Sequence, residues 1–198
     1  MNSGRAPRFE RLFLALLFLV ALGLRLYRIG QPSLSEDEAA KWDAIQQYRQ
    51  GHFAGVNCSH PMVMKMMAWA SLDFGELYNH WALAHGGHGL PLEAWLRLPI
   101  VFFGAATSIV LFLLACQMIG RVGAWLAAVF WAIAPLSVAQ NRLLKEESLF
   151  AFFTMLAFYC YNRAKLAARP WKTRKISMSW GAEPSGRPPP LPPSAPTR

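Results

Sequence analysis

The chain has 198 residues, 54% of them hydrophobic and only 16% charged, with a formal net charge of +9. That balance, joined to uninterrupted apolar runs, argues against an ordinary soluble domain and makes a helical membrane protein the expectation. The position of the charge argues against nucleic-acid binding. Arg5, Arg8 and Arg11 precede the first apolar run, and Arg163, Lys165, Arg169, Lys172, Arg174 and Lys175 follow the last one. This is how basic residues flank membrane segments.

The first apolar run, residues 12–24, is short for a span. Arg11 and Arg25 can reach opposite interfaces and extend it to about 9–27. It could form the core of a signal peptide, but no small-x-small site follows and Arg25-Leu26-Tyr27-Arg28 is a poor cleavage region, so an uncleaved anchor is expected. A polar loop of about 28–95 comes next. Within it Ser35 and Glu38 form a capping-box signature, followed by Trp42, Ile45 and Tyr48 on one helical face, with Gly51 as the stop. A second loop helix is expected from His60-Pro61 to about Phe74, ending at Gly75. Its Met62, Met64, Met66, Met67 and Trp69 suit a helix lying on a membrane surface. Gly86-Gly87-His88-Gly89 reads as a flexible connection.

Three more spans are expected, at about 97–118, 121–139 and 147–165. Pro99 falls at the start of the first of these, where its missing donor is harmless. Only Ile119-Gly120-Arg121 separates the second span from the third, which predicts a tight helical hairpin. Pro135 should kink or end the third span. Beyond Arg169 the composition turns basic and Pro-rich without apolar periodicity, and a disordered tail is expected over 169–198. A polyproline ligand is an alternative reading of that tail, and a truncated or out-of-frame end is another. The fold class expected is all-α: a polytopic membrane domain over 1–168 with about four transmembrane helices and a partly helical first loop. The loop charges put both termini in the cytoplasm and the first loop outside, with Arg25 and Arg28 as the one conflict. Cys58, Cys116 and Cys160 are scattered, with no Cys-x-x-Cys, and read as ordinary packing residues.

The acidic cluster Ser35-Glu36-Asp37-Glu38 is the main candidate for chemistry. Carboxylates near a bilayer must be hydrated, paired or metal-bound, because burying them bare costs several kcal/mol, on the order of 3 or more. Capping and helix-dipole effects account for both Asp37 and Glu38 without any function. Glu38 holds the reciprocal capping position and Asp37 has no such duty, so Asp37 is the better candidate for a base or a metal ligand. His60 at a helix start is either structural or a substrate contact. His80, His85 and His88 could meet a metal, although two glycines loosen that segment. Arg142 could grip a phosphate bidentately where Lys145 would act as a point charge. Alternatively Arg142 and Glu146 are interfacial charges paired at i,i+4. Arg97 reads as a phosphate or headgroup contact, or as plain snorkelling.

The order of several weak motifs strengthens these assignments. Arg25-Leu26-Tyr27-Arg28 leads to Asp37-Glu38, then to Ser59-His60-Pro61 and Lys65. Arg97-Leu98-Pro99 with Gly104, Gly120-Arg121, Ala134-Pro135 and Asn141-Arg142 with an acid four residues on follow in turn. Over residues 12–161 the chain resembles the N-terminal part of polyprenyl-phosphate-dependent GT-C glycosyltransferases, the protein O-mannosyltransferase-like superfamily that includes the aminoarabinose transferases. The resemblance implies a polyprenyl-phosphate-linked sugar donor, an extracytoplasmic acceptor of unknown identity, a plasma (inner) membrane location and inversion at the sugar. It implies a catalytic or metal-binding role for Asp37, support from Glu38, and donor or acceptor contacts from His60, Lys65, Arg97, Arg142 and Glu146. A divalent metal ion, of open identity, is the implied cofactor. Two residues depart from the family pattern: Met62 stands where a second proline is usual, and Glu146 where aspartate is usual. Family members also carry more helices, so a truncated form is expected. The alternative is a small non-catalytic membrane protein that binds a lipid carrier or a partner membrane subunit. A transporter is a third reading, disfavoured because no broken-helix pair is evident.

Overall fold

The computed structural model describes residues 8–53 and 61–168. His60, Cys58 and the expected disordered tail lie outside these. The chain divides into two units, 1–163 and 164–198. Of the second, only the end of the last helix falls within the described residues. Among the described residues there are seven helices and no strand, as the all-α expectation requires. They are α1 (Arg8–Leu26), α2 (Glu36–Arg49), α3 (Met62–Ala84), α4 (Leu92–Met118), α5 (Gly120–Ile133), α6 (Pro135–Gln140) and α7 (Glu147–Ala168).

Helix α4 is long and apolar enough to cross a membrane, and it alone among the described helices meets that test. The expected count of four spans is therefore not carried by helix length and composition. Helix α1 carries Glu10, Arg11 and Arg25 within its 19 residues. Helix α5 has 14 residues, about 21 Å of rise against a hydrocarbon core of about 30 Å. Helix α7 carries Asn162, Arg163 and Lys165 within its last two turns. Large apolar side chains nonetheless stand exposed along α1, α5 and α7, among them Leu12, Leu19, Leu126, Phe130, Phe150 and Phe158.

The hairpin of α4 and α5 forms as expected, with Gly120 turning at φ 82°. Ala124, Ala128 and Ala132 recur every four residues on one face of α5, each fully buried. They pack with Leu17 and Ala21 of α1 and with Ala105, Phe112 and Ala115 of α4. Small residues at that spacing let helix backbones approach closely. The second core joins Ile45 of α2, Met64, Ala68 and Leu72 of α3, Trp95, Leu96 and Ile100 of α4, Leu144 of the connection between α6 and α7, and Leu149 of α7. Met64 is therefore a core residue, while Met62 and Met66 remain exposed, so the expected surface set of methionines is divided between the core and the surface.

Two prolines behave differently. Pro99 lies inside α4 rather than at its start, because the helix begins at Leu92, just after Pro91. The carbonyl of Trp95, which the missing Pro99 N–H would have bonded, instead accepts from Ser71 Oγ at 2.6 Å. Pro135 ends α5: Ala134 leaves the helical region at ψ 124° and α6 starts anew. The carbonyls freed there, Trp131 and Ala132, accept from the Arg25 guanidinium at 3.2 and 3.0 Å. Arg25 is fully buried, so it does not reach an interface as its sequence position suggested.

Helix α3 also runs past Gly75, the expected stop. A Cβ at Gly75 would lie 2.5 Å from the Trp95 ring, so this glycine makes room for a neighbouring helix rather than ending its own. The helix ends at Ala84 with His85 as its cap; Gly86 follows at φ 74°, and the Gly87 N–H bonds the Ala82 carbonyl at 2.8 Å. Just past the glycine stretch 86–89, Leu90 is tied back to α3. Asn79 Nδ2 donates to the Leu90 carbonyl at 2.9 Å, and its Oδ1 accepts from the Leu90 N–H at 2.8 Å.

Candidate functional site

The capping box of α2 forms as its sequence predicts. Ser35 Oγ accepts from the Glu38 N–H at 3.4 Å, and Glu38 Oε2 accepts from the Ser35 N–H at 3.0 Å. This fixes the Glu38 carboxylate at the base of the helix, where Arg97 of α4 meets it. Arg97 Nε donates to Oε1 at 2.8 Å and Nη2 to Oε2 at 2.7 Å. The remaining guanidinium donors go to the carbonyls of Ile29, Pro32 and Ser33 at 2.8, 3.0 and 3.1 Å. All five N–H donors of Arg97 are therefore used within the chain, and the side chain is buried. In this arrangement Arg97 has no donor left for a phosphate, contrary to its expected role as a substrate contact.

Glu38 is equally committed. Its Oε1 also accepts from the Leu144 N–H at 2.8 Å. Burial alone would raise the Glu38 pKa. The Arg97 hydrogen bonds, the Ser35 and Leu144 N–H groups and the charge of Arg97 outweigh burial and hold it at about 2. A carboxylate that is buried, ionised and fully partnered suits fastening α2 to α4 and to the 141–146 segment. Glu38 is expected to support catalysis, but its side chain is fully buried and does not line the pocket that Asp37 faces.

Lys41, one turn after Asp37, is the residue that sequence reasoning missed. Its buried ammonium donates to Asp37 Oδ2 at 2.7 Å, to the Leu144 carbonyl at 2.9 Å and to Glu146 Oε2 at 3.0 Å. The i,i+4 spacing of Asp37 and Lys41 was the available signal. The backbone of Leu144 is held on both sides, its N–H by Glu38 and its carbonyl by Lys41.

The structure brings Asp37, Glu38, Arg97 and Glu146 into one cluster from distant parts of the chain. Asp37 keeps 41% of its side chain exposed and lines an open pocket of about 570 Å³ with Ser35, Glu36, Ala40, Leu143 and Lys145. Arg142 lies on the same connection between α6 and α7, where its Nη2 donates to the Tyr27 carbonyl at 2.6 Å. Lys65 is placed elsewhere. It is fully buried in α3 with its ammonium 5.4 Å from the centroid of the Tyr48 ring, so the expected substrate contact would require it to become exposed. His60 lies outside the described residues. Asn141, which joins Ser148 at 2.6 Å, packs where a Cβ on Gly104 would lie 2.6 Å from it.

The residues present do not fit a divalent metal held by Asp37. Among the described residues no three His, Cys, Asp or Glu side chains converge as a metal site, and the point between Asp37 and Glu146 is filled by the Lys41 ammonium. His80, His85 and His88 form no such cluster either, and His85 Nδ1 instead lies 2.8 Å from the Trp81 carbonyl.

The arrangement offers a half-exposed carboxylate, oriented by a buried cation, facing a pocket that also carries an ammonium. It lies at the end of the α1–α4–α5 bundle opposite the Glu10–Arg121 contact. No curated protein and no solved structure matches the chain. The sequence pattern of the dolichyl-phosphate-mannose-protein mannosyltransferases matches residues 15–182, which takes in the whole Asp37 cluster. The chain is a helical membrane protein that belongs to the dolichyl-phosphate-mannose-protein mannosyltransferase family.

Proposed function

We propose that the chain transfers a sugar from a polyprenyl-phosphate donor to an acceptor on the extracytoplasmic side, with Asp37 as the working carboxylate. The observation that carries this reading is Asp37 itself: an acid that stays open to a pocket while Glu38, Lys41 and Arg97 around it are buried and bonded within the chain. An acceptor hydroxyl in that pocket gives its proton to Asp37 as its oxygen bonds the anomeric carbon of the sugar. The bond between that carbon and the phosphate oxygen breaks, and the polyprenyl phosphate leaves with the electron pair. Attack opposite the leaving group inverts the anomeric centre. The charge on the departing phosphate is met by Lys145 across the pocket and by Arg142 beside it.

The test is sugar transfer from polyprenyl-phosphate-linked mannose by membranes containing the chain. Asp37→Asn keeps the side-chain shape and leaves Lys41 two other acceptors, so membrane levels should hold while transfer falls by a factor of about 10² or more. Unchanged transfer in that variant removes Asp37 from the mechanism. Donor binding without transfer, in the unaltered chain, favours the lipid-carrier-binding alternative.

A further inference from the structure

The Asp37 cluster contains a cation of its own. Asp37 Oδ2, the Leu144 carbonyl oxygen and Glu146 Oε2 surround Lys41 Nζ at 2.7, 2.9 and 3.0 Å. An ammonium has three N–H bonds, and all three are used. The Lys41 side chain is fully buried, while those of Asp37 and Glu146 are 41% and 29% exposed. Two carboxylates and a carbonyl converging on one point form the kind of oxygen set that a hard divalent cation seeks. Here a tethered monocation fills the centre. A divalent ion entering the same place would have to displace the ammonium and would face it at close range in a buried setting.

We propose that Lys41 is the resident cation of this site, standing where a divalent metal would otherwise sit between Asp37 and Glu146. Asp37 is then oriented and its charge balanced without a metal, and Lys41 is a positioning residue. The proposal rests on the reading of Asp37 as the working carboxylate. Its test is ion binding, so it can fail while sugar transfer succeeds, and the reverse.

The probe is Mn²⁺, followed by the paramagnetic signal of bound ion and by thermal unfolding of the full chain in detergent. The unaltered chain should show no Mn²⁺ binding that Asp37→Asn removes, up to about 1 mM. Lys41→Met should acquire a bound Mn²⁺. Its unfolding midpoint should rise by about 3 °C or more at tenfold excess over Kd, and adding Asp37→Asn should abolish the gain. Asp37-dependent Mn²⁺ binding by the unaltered chain overturns the proposal. So does a folded Lys41→Met chain that gains no ion. If Lys41→Met does not fold alone, recovery of the folded chain by Mn²⁺ supports the exchange of ammonium for metal, and failure to recover it overturns it.

Discussion

Replacing Arg97 with methionine removes five donors from one buried point. The Glu38 carboxylate keeps its Ser35 and Leu144 partners but loses its counter-charge, and the carbonyls of Ile29, Pro32 and Ser33 lose their donor. A buried charge stripped of its partner costs about 3–5 kcal/mol. Each carbonyl that water cannot reach adds about 1 kcal/mol or more. Against a total stability of about 5–15 kcal/mol, Arg97→Met should leave little folded chain under mild denaturing conditions. Glu38→Gln strands the guanidinium instead and should cost a similar amount. The double variant leaves no uncompensated charge, so the two losses should not add, and a double-mutant cycle should return a coupling of about 2–4 kcal/mol. The assay is equilibrium unfolding in mixed micelles, followed by tryptophan fluorescence. If Arg97→Met stays within about 1 kcal/mol of the unaltered chain and loses donor binding, Arg97 is a phosphate contact and the argument from its five hydrogen bonds is refuted. Strict additivity in the cycle would equally refute the coupling.

Two further predictions concern the same scaffold. The Glu38 pKa of about 2 lies below its ordinary value of 4.5, so its contribution, on the order of 3 kcal/mol, is fully present above about pH 4.5 and lost as pH falls toward 2. Unfolding measured at pH 7, 4 and 3 should show that decline in the unaltered chain and not in Glu38→Gln; parallel curves would contradict it. Ser71→Ala should cost about 1–2 kcal/mol by stranding the Trp95 carbonyl, but less than about 0.5 kcal/mol in a Pro99→Ala background, where a backbone N–H returns to bond that carbonyl. Equal losses in both backgrounds would show that Ser71 does something else.

Much of α2 was legible because its signals are local. Ser35, Glu38 and Gly51 lie within one helix and its ends, and the box and the stop form where the spacing places them. The errors arise where a residue answers to a distant partner. Gly75 reads as a stop, and becomes a contact surface only because Trp95 packs on it from another helix. Pro99 and Pro135 carry the same local message, a missing donor and a restricted backbone. One stays inside a helix because Ser71 takes up the Trp95 carbonyl it releases, and the other ends a helix because Ala134 turns away. The Asp37 cluster was half visible. The acids stand out by their position, while Lys41 carries only an i,i+4 spacing to Asp37, which any solvated helix face can show.

The buried cations have a different role in the folded chain. Arg25 binds the carbonyls of Ala21, Trp131 and Ala132, Arg97 those of Ile29, Pro32 and Ser33, and Lys41 that of Leu144. Apart from Ala21, each of these sits where a helix has ended or broken, and backbone acceptors there lack the donors that a continued helix would supply. A long cationic side chain brings several donors on a flexible stem and can gather such acceptors from different segments at once. Arg25 and Arg28, counted together, opposed the orientation inferred from loop charge. In the folded chain Arg25 is taken up by the end of α5 and is not a free interfacial charge. The same bonding leaves Asp37 with a more open side chain than Glu38 or Glu146, because Lys41 and Arg97 are spent on holding α2, α4 and the 141–146 segment in register around it.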